Sequence, residues 1–244
     1  MREPRIFVGT MSYGEAELAD CVQAVRDQKG VEVTHQIISD MPEYQAHNKL
    51  WEEWGRQRSQ HDVFVKVDAD TILNRPSALR EVSELFKKRG VTGAQIMLHD
   101  YYTNDLISGL NAFSPQVEFK PAKHRLFADR ADVNHTVVLR GESVAHLAPI
   151  GWHCKNPHPR QAFFFGLHRA LKKQSEVIRK CATMWLAKRD VARSWALTGA
   201  RYGGLWHATH IDYSEQKFEK VFVKHKTHPN RIAHVEKFAN EFHR

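Results

Sequence analysis

Two carboxylates one residue apart, Asp68 and Asp70, close an apolar run, Val63-Phe64-Val65-Lys66-Val67. In extended chain, residues two apart point the same way, so both side chains can turn toward one divalent cation. Hard carboxylate oxygens suit Mg2+ or Mn2+, and such a cation neutralises charge on the phosphates of a departing nucleoside diphosphate. A bare D-x-D also serves as a pair of turn or helix-capping aspartates, so context has to decide between the two. Here the pair follows a strand-like run, and a parallel α/β sheet takes its ligands at the carboxyl ends of its strands.

The elements that must present this pair alternate between strand and helix. Ile6-Phe7-Val8 predicts a buried strand over Arg5 to Thr10, followed by a helix with Leu18, Ala19, Val22 and Val25 at helical spacing, stopped by Gly30. Val31 to Ile38 is rich in β-branched residues and predicts a second strand, ending at Ser39-Asp40. Glu43 to Gln60 carries Tyr44, His47, Leu50, Trp51 and Trp54 on one helical stripe and leads into the strand before Asp68. A helix with Leu79, Val82, Leu85 and Phe86 follows Pro76, and a strand from Ala94 to Leu98 follows Gly90. This alternation predicts an α/β fold with a largely parallel sheet flanked by helices. From His99 to Cys154 the pattern is irregular, with short apolar runs at Val117–Phe119 and Thr136–Leu139. From Gln161 onward, Phe164, Leu167, Leu171, Ile178 and Trp185 predict one long helix or two in tandem, a helical and basic extension.

The order strand, helix, strand ending in Asp40, helix, strand ending in Asp68-Ala69-Asp70 resembles the nucleotide-binding half of GT-A (Rossmann-like, mixed and mostly parallel) glycosyltransferases, particularly the family 2 group, over residues 5–100. The resemblance implies a metal-dependent transferase moving a sugar from a nucleotide-diphosphate sugar, a UDP- or GDP-sugar, to an acceptor hydroxyl. On the matching positions it implies that Thr10, with Met11, Ser12 and Tyr13, lies beside the nucleotide and that Asp40 contacts the base. It further implies that Asn48 and Lys49 approach the nucleotide, that Asp68 reaches the ribose and the metal, and that Asp70 ligates Mn2+ or Mg2+. Lys49 fits a solvated helix position equally well.

Beyond residue 100 the candidates rest on chemistry. Transferases of this type often add a later His or acid to the metal, and Gly151-Trp152-His153-Cys154-Lys155-Asn156-Pro157-His158 offers His153 and His158. Neutral imidazole is a competent Mn2+ ligand, although with 16 histidines in the chain any one of them is as readily a core or surface residue. An inverting transferase needs a carboxylate to take the acceptor proton, and Asp100, Asp129 and Asp132 are the candidates past the sheet. The Glu-Asp pair usual in the family is missing, and retaining enzymes need no such base.

The 244 residues, 42% hydrophobic and 26% charged, describe a folded chain rather than a disordered one. The first residues lack the apolar core of a signal peptide, and three scattered cysteines form no disulfide framework, so the expected compartment is reducing and cytoplasmic, with no transmembrane segment. Residues 1–153 hold 18 Lys and Arg against 21 Asp and Glu, whereas residues 154–244 hold 18 against 7, a net −3 against +11. The expected organisation is a catalytic domain over 1–153 and a basic helical region over 154–244 that faces the acceptor, itself polyanionic if the charge is used: a nucleic acid or an anionic glycan or lipid surface. Two other readings remain open. A sugar nucleotidyltransferase would carry a Gly-rich basic loop after the first strand, where Gly9-Thr10-Met11-Ser12-Tyr13-Gly14 has no basic residue. A nucleic-acid-directed protein, including a DNA-base-modifying glycosyltransferase, would show steep salt dependence on duplex DNA.

Overall fold

Side chains alternate in direction along a strand, so a continuous apolar run must be covered on both faces. The computed structural model, which describes residues 2–122, 133–204 and 215–243, shows how this chain does so. Its α/β part comprises β1 (Arg5–Ser12), α1 (Leu18–Arg26), β2 (Glu32–Ser39), α2 (Glu43–Gln57), β3 (Val63–Lys66), β4 (Thr71–Leu73), α3 (Ala78–Leu85), β5 (Gly93–Asp100), β6 (Asp105–Phe113), β7 (Val138–Leu139) and β8 (Gly151–His153). Ile6 and Val8 of β1 and Val63 and Val65 of β3 join one buried cluster with Cys21 and Val25 of α1 and Leu79, Val82 and Leu85 of α3. The intervening Phe7 and Phe64 join the opposite cluster with Leu50, Trp51 and Trp54 of α2. Burying each of Leu50 and Trp54 so completely contributes roughly 2–3 kcal/mol.

The strands form one sheet in the order β2-β1-β3-β6-β5-β8-β4, with β7 beside β5. β1 is parallel to β2 and β3, and β5 is parallel to β7 and β8. β6 runs antiparallel between β3 and β5, and β4 runs antiparallel to β8. The sheet is therefore mixed and mostly parallel, as the α/β alternation predicts. β6 falls in the stretch read as irregular from sequence. Its first half is exposed, and Ser108, Gly109 and Asn111 interrupt the β-branched signal. At Gly109 the packing is close: a Cβ there would lie 2.5 Å from a Leu98 methyl carbon on β5, which would have to shift.

The segment before β8 is tied down by Arg75. Its guanidinium forks onto Glu81 of α3 at 3.0 and 2.7 Å, and it also donates to the carbonyls of Leu147 and Pro149, both at 3.1 Å. Ser77 donates to the same carboxylate at 2.6 Å. Arg75 thus holds the Glu81 carboxyl below its ordinary range, burial opposing the shift.

The helical part comprises α4 (Pro159–Leu171), α5 (Ser175–Lys188), α6 (Val191–Gly203), α7 (Gln216–Lys226) and α8 (Arg231–His243). Of the two readings from Gln161 onward, one long helix or two in tandem, the structure shows the second, as α4 and α5, and a further break separates α5 from α6. Lys173 and Arg189 adopt left-handed backbone, with φ of 56° and 55°, and Asp190 caps α6 by accepting the Arg193 N–H at 2.9 Å. An apolar stripe of period 3.6 runs through such breaks unchanged, which is why the sequence left one helix or two in tandem open. The chain divides into two compact units, one running to Lys155 and one holding the helices from Asn156 on together with Tyr101–Asn104. That turn belongs with the helices because buried Arg193 donates to the carbonyls of Tyr101 and Tyr102.

Two stability measurements test this account. α4 and α6 cross so closely that a Cβ at Gly166 would lie 1.7 Å from the Ala196 carbonyl oxygen. Gly166→Ala should cost about 3 kcal/mol and lower Tm by roughly 6–12 °C, and an unchanged melt would sink the close crossing. Glu81 has a folded pKa below its unfolded one, so its bond to Arg75 adds stability above pH about 4.5, lost as pH falls through the lower folded value. Glu81→Gln should therefore cost about 1 kcal/mol near neutrality, with the difference from wild type vanishing in acid. Urea unfolding of both proteins across that range checks the sign.

Candidate active site

β8 is three residues long and sits between β5 and β4, with His153 paired to Asp100 on one side and to Thr71 on the other. Asp70 precedes Thr71 directly, and its carbonyl accepts the Cys154 N–H at 2.8 Å. This register, rather than any single loop, brings Asp70, Asp100, His153 and Cys154 together.

Asp100 is fully buried, and its carboxylate accepts a hydrogen bond from His153 Nδ1 at 2.6 Å. A carboxylate on Nδ1 keeps the ring proton there and turns the Nε2 lone pair the other way, the arrangement that orients a metal-binding imidazole. His153 Nε2 lies 3.6 Å from Asp70 Oδ2, and the Cys154 thiol donates to the same oxygen at 3.1 Å. One donor atom each from Asp70, His153 and Cys154 lies within 4.8 Å of the others, the group of His, Cys and acidic residues among those described that is close enough to share an ion. Cys154 takes left-handed backbone with a φ of 52°, a strained conformation held by its N–H bond to Asp70.

The donor set fits a divalent cation in a specific way. Carboxylate and imidazole suit Mn2+, and the carboxylate alone suits Mg2+. Burial, and then the adjacent Asp70 charge, push the Cys154 thiol well above its ordinary pKa, so near neutrality it stays protonated and donates to Asp70. Cys154 becomes a ligand only for a thiophilic ion such as Zn2+, which displaces that proton.

Asp68 stands two residues past β3 and is arranged differently. Its Oδ1 accepts from Lys66 Nζ at 2.5 Å, and its carbonyl accepts the Thr71 N–H at 2.8 Å, closing the turn that carries Asp70. Burial works to raise the Asp68 carboxyl, but the Lys66 ammonium, helped by His47 and His153, outweighs it and leaves Asp68 below the ordinary carboxylate range.

The remaining sequence candidates are placed as follows. Thr10 is fully buried in β1, its hydroxyl 2.9 Å from His35 Nε2 on β2. Asp40 is exposed at the end of β2 in left-handed backbone, its N–H donating to the Ser12 carbonyl at 3.2 Å. Asn48 accepts the Ala122 N–H at 2.6 Å, and Lys49 is exposed on α2. His158 is the exposed N-cap of α4, accepting from the Arg160 N–H, and lies in the second unit. Asp129 and Asp132 lie outside the described residues.

Three participants were not singled out from sequence. Cys154 could have been found through its tandem with His153, and Lys66 through a charge inside an apolar run. Glu15, in the loop after β1, accepts from Ser12 Oγ at 2.8 Å and from the Tyr13 N–H at 2.6 Å. Burial raises its carboxyl, those two bonds oppose this, and the Asp70 charge raises it further. The spacing Ser12-x-x-Glu15 was its only signal.

No protein-family profile matches the chain, and no curated protein matches it in sequence. Among solved structures 21 chains match. One is a mannosyltransferase from Pyrobaculum calidifontis in complex with GDP-Man and Mn2+, 12% identical, covering 98% of this chain and 86% of its own, with a TM-score of 0.39. Another is a glycosyltransferase involved in glycosylation of the major capsid of PBCV-1, 9% identical, covering 46% of this chain and 60% of its own, with a TM-score of 0.32. Likenesses at that level leave the activity to be argued from the site. Among the described residues no helix is long and apolar enough to cross a membrane.

The state of the thiols tests the site directly. Cys21, Cys154 and Cys181 are all buried, and burial, then Asp70, pushes the Cys21 thiol up to about 12. Ellman's reagent should label the folded protein about 100-fold more slowly than the denatured one, which should yield three thiols. Rapid labelling of Cys154 in the folded chain would contradict the buried bond to Asp70.

Proposed function

We propose that this chain is a divalent-metal-dependent glycosyltransferase of the GT-A type, moving a sugar from a UDP- or GDP-sugar to an acceptor hydroxyl. The observation that carries the reading is the convergence of Asp70 and His153, with Asp100 buried behind the imidazole, beyond the carboxyl end of β3 in a mostly parallel sheet. Asp70 and His153 would hold Mn2+ or Mg2+. A cation bound there supplies positive charge to the diphosphate as the sugar leaves.

The chain's own residues divide the work. Asp100 acts as a positioning residue, fixing the His153 tautomer and ring plane. Lys66 compensates the Asp68 charge, so that Asp68 can accept from ribose hydroxyls without adding a bare anion beside the diphosphate. Asp40, exposed past β2, is available to accept from a base N–H, with Thr10, Asn48 and Lys49 on the elements around it. Asp129 and Asp132 are the remaining candidates for the base of an inverting reaction, since the Asp100 carboxylate is already engaged by His153. Residues 154–244, with their excess of cations, are the part proposed to recruit the acceptor.

Calorimetry with UDP and GDP, with and without Mn2+, tests the reading. Mn2+ should strengthen binding of one diphosphate, and Asp70→Ala or His153→Ala should each remove most of that gain, at least about tenfold in Kd, with the fold intact by circular dichroism. Asp100→Asn should produce a smaller loss of the same kind. Metal-independent binding, or unchanged affinity in Asp70→Ala, would refute the assignment.

A further inference from the structure

At the end of the helical unit, six cationic or protonatable side chains crowd one turn. They are Arg201 of α6, Lys224 and His225 of α7, His228 between α7 and α8, and Arg231 and His234 of α8. The imidazoles form a row, with ring centroids 5.5 Å apart for His225 and His228 and 5.2 Å apart for His228 and His234. Arg231 lies over the Trp195 ring at 4.0 Å and donates through Nη1 to Ser194 Oγ at 3.0 Å. Arg201, Lys224 and Arg231 have no carboxylate partner among the described residues, although other cations of this unit do: Arg179 pairs with Glu176, Arg189 with Glu236 and Arg160 with Glu219.

Three features leave charge and ring nitrogens in this cluster that an anion would answer. α8 begins with Arg231 and has no acid in its first turn, so its positive helix terminus is met by more positive charge. Two ring nitrogens, His225 Nδ1 and His234 Nδ1, are buried with no hydrogen-bond partner among the described residues, a condition that native structures relieve with a bound group or water. His228 Nδ1 accepts the Asn230 N–H at 3.2 Å, which leaves the neutral ring's proton on Nε2, free to donate. A metal ion does not answer these needs. Three positive side chains would repel it, and the three imidazoles do not bring ligand atoms together as closely as Asp70, His153 and Cys154 do.

We propose that the α7–α8 turn is a phosphate-binding site, in which His225, His228, Arg231 and His234 share the oxygens of one phosphate group while Arg201 and Lys224 supply long-range attraction. A tetrahedral dianion offers several acceptor oxygens in different directions, matching donors spread over two helices and a turn, which a planar carboxylate does not. The three imidazoles form one short row with neighbouring rings 5.2–5.5 Å apart, a spacing suited to one such group rather than to a track along a nucleic acid. The groups facing His225 are His228, Arg201, Lys224 and Arg231; burial first, then these charges, lower its pKa in the empty site, and a bound dianion reverses their repulsion. This inference is independent of the metal site and of the proposed transferase activity.

The test uses the full chain in a buffer free of phosphate, following the imidazole Cε1–H signals by NMR as inorganic phosphate or sulfate is added. Sulfate keeps its charge over the working range, so any pH dependence of its binding belongs to the protein. Saturable, concerted shifts of His225, His228 and His234 are expected, with sulfate affinity about tenfold stronger near pH 6 than near pH 8. Arg231→Gln and His228→Asn should each weaken binding about tenfold, and Arg179→Gln should leave it unchanged. Cosedimentation with phosphatidylcholine vesicles, with and without phosphatidic acid, separates the sources. Retention on phosphatidic acid that Arg231→Gln abolishes identifies a lipid headgroup, and binding of free phosphate alone identifies a soluble one. If the variants fail to fold, the wild-type titration decides: no saturable shift, or a response to Zn2+ but not to oxyanions, overturns the proposal.

Discussion

The site depends on one buried hydrogen bond, from His153 to Asp100 across the β5–β8 pairing. A charged oxygen with no exposure must be compensated in full, and the imidazole N–H at 2.6 Å does part of that work. The bond fixes more than a side chain. β8 pairs over only two residues with β5 and three with β4, so the His153 side chain is as much an anchor for this strand as the backbone ladder is. With β8 in register, the Asp70 carbonyl meets the Cys154 N–H and the carboxylate of Asp70 faces the ring that Asp100 has oriented.

The sheet supplies the rigidity on which this geometry rests. β1 and β3 send alternate residues into two separate clusters, so neither strand can slip by one residue without exchanging Val and Ile for Phe between faces of different shape. Phe64 packs within 5.2–5.8 Å, centroid to centroid, of Phe7, Trp51, Trp54 and Phe113. Beyond this fixed strand, Lys66 and the turn from Asp68 to Thr71 deliver Asp70. Arg75, reaching from the start of α3 to the carbonyls before β8, holds the other side of the same site.

The basic character of residues 154–244 also resolves into local chemistry. Several of its cations are spent in ion pairs on or between helices, and Arg193 is buried against Asp190 and the Tyr101 ring. Exposed pairs of this kind add little stability each and neutralise the surface where they lie. Arg201, Lys224 and Arg231 at the α7–α8 turn have no carboxylate partner among the described residues, so part of the charge excess in the sequence is gathered at one place in the fold.

From the sequence alone, the alternation of β1, β2, β3 and β5 with the helices between them, the burial of β1 and β3 and the placement of Asp68 and Asp70 past β3 were legible, because each is a local consequence of hydrophobic period and of Gly, Pro and Asp punctuation, whereas the three-residue β4 was not read. His153 and Asp100 were legible as candidate residue types but not as partners. What joins them is a three-residue strand too short to carry a period, Gly151-Trp152-His153, lodged beside β5 with an antiparallel β4 at its other edge. The same holds for β6, whose polar residues hide a strand that pairing with β3 and β5 stabilises, and for the helix breaks at Lys173 and Arg189, where a left-handed residue leaves no mark on the apolar stripe. Which oxygen faces which donor is settled by contacts between residues 53 or 84 positions apart, Asp100 with the His153 nitrogen and Asp70 with the Cys154 thiol. Contacts that distant in the chain form only when the sheet closes around them, so only the tertiary structure could decide them.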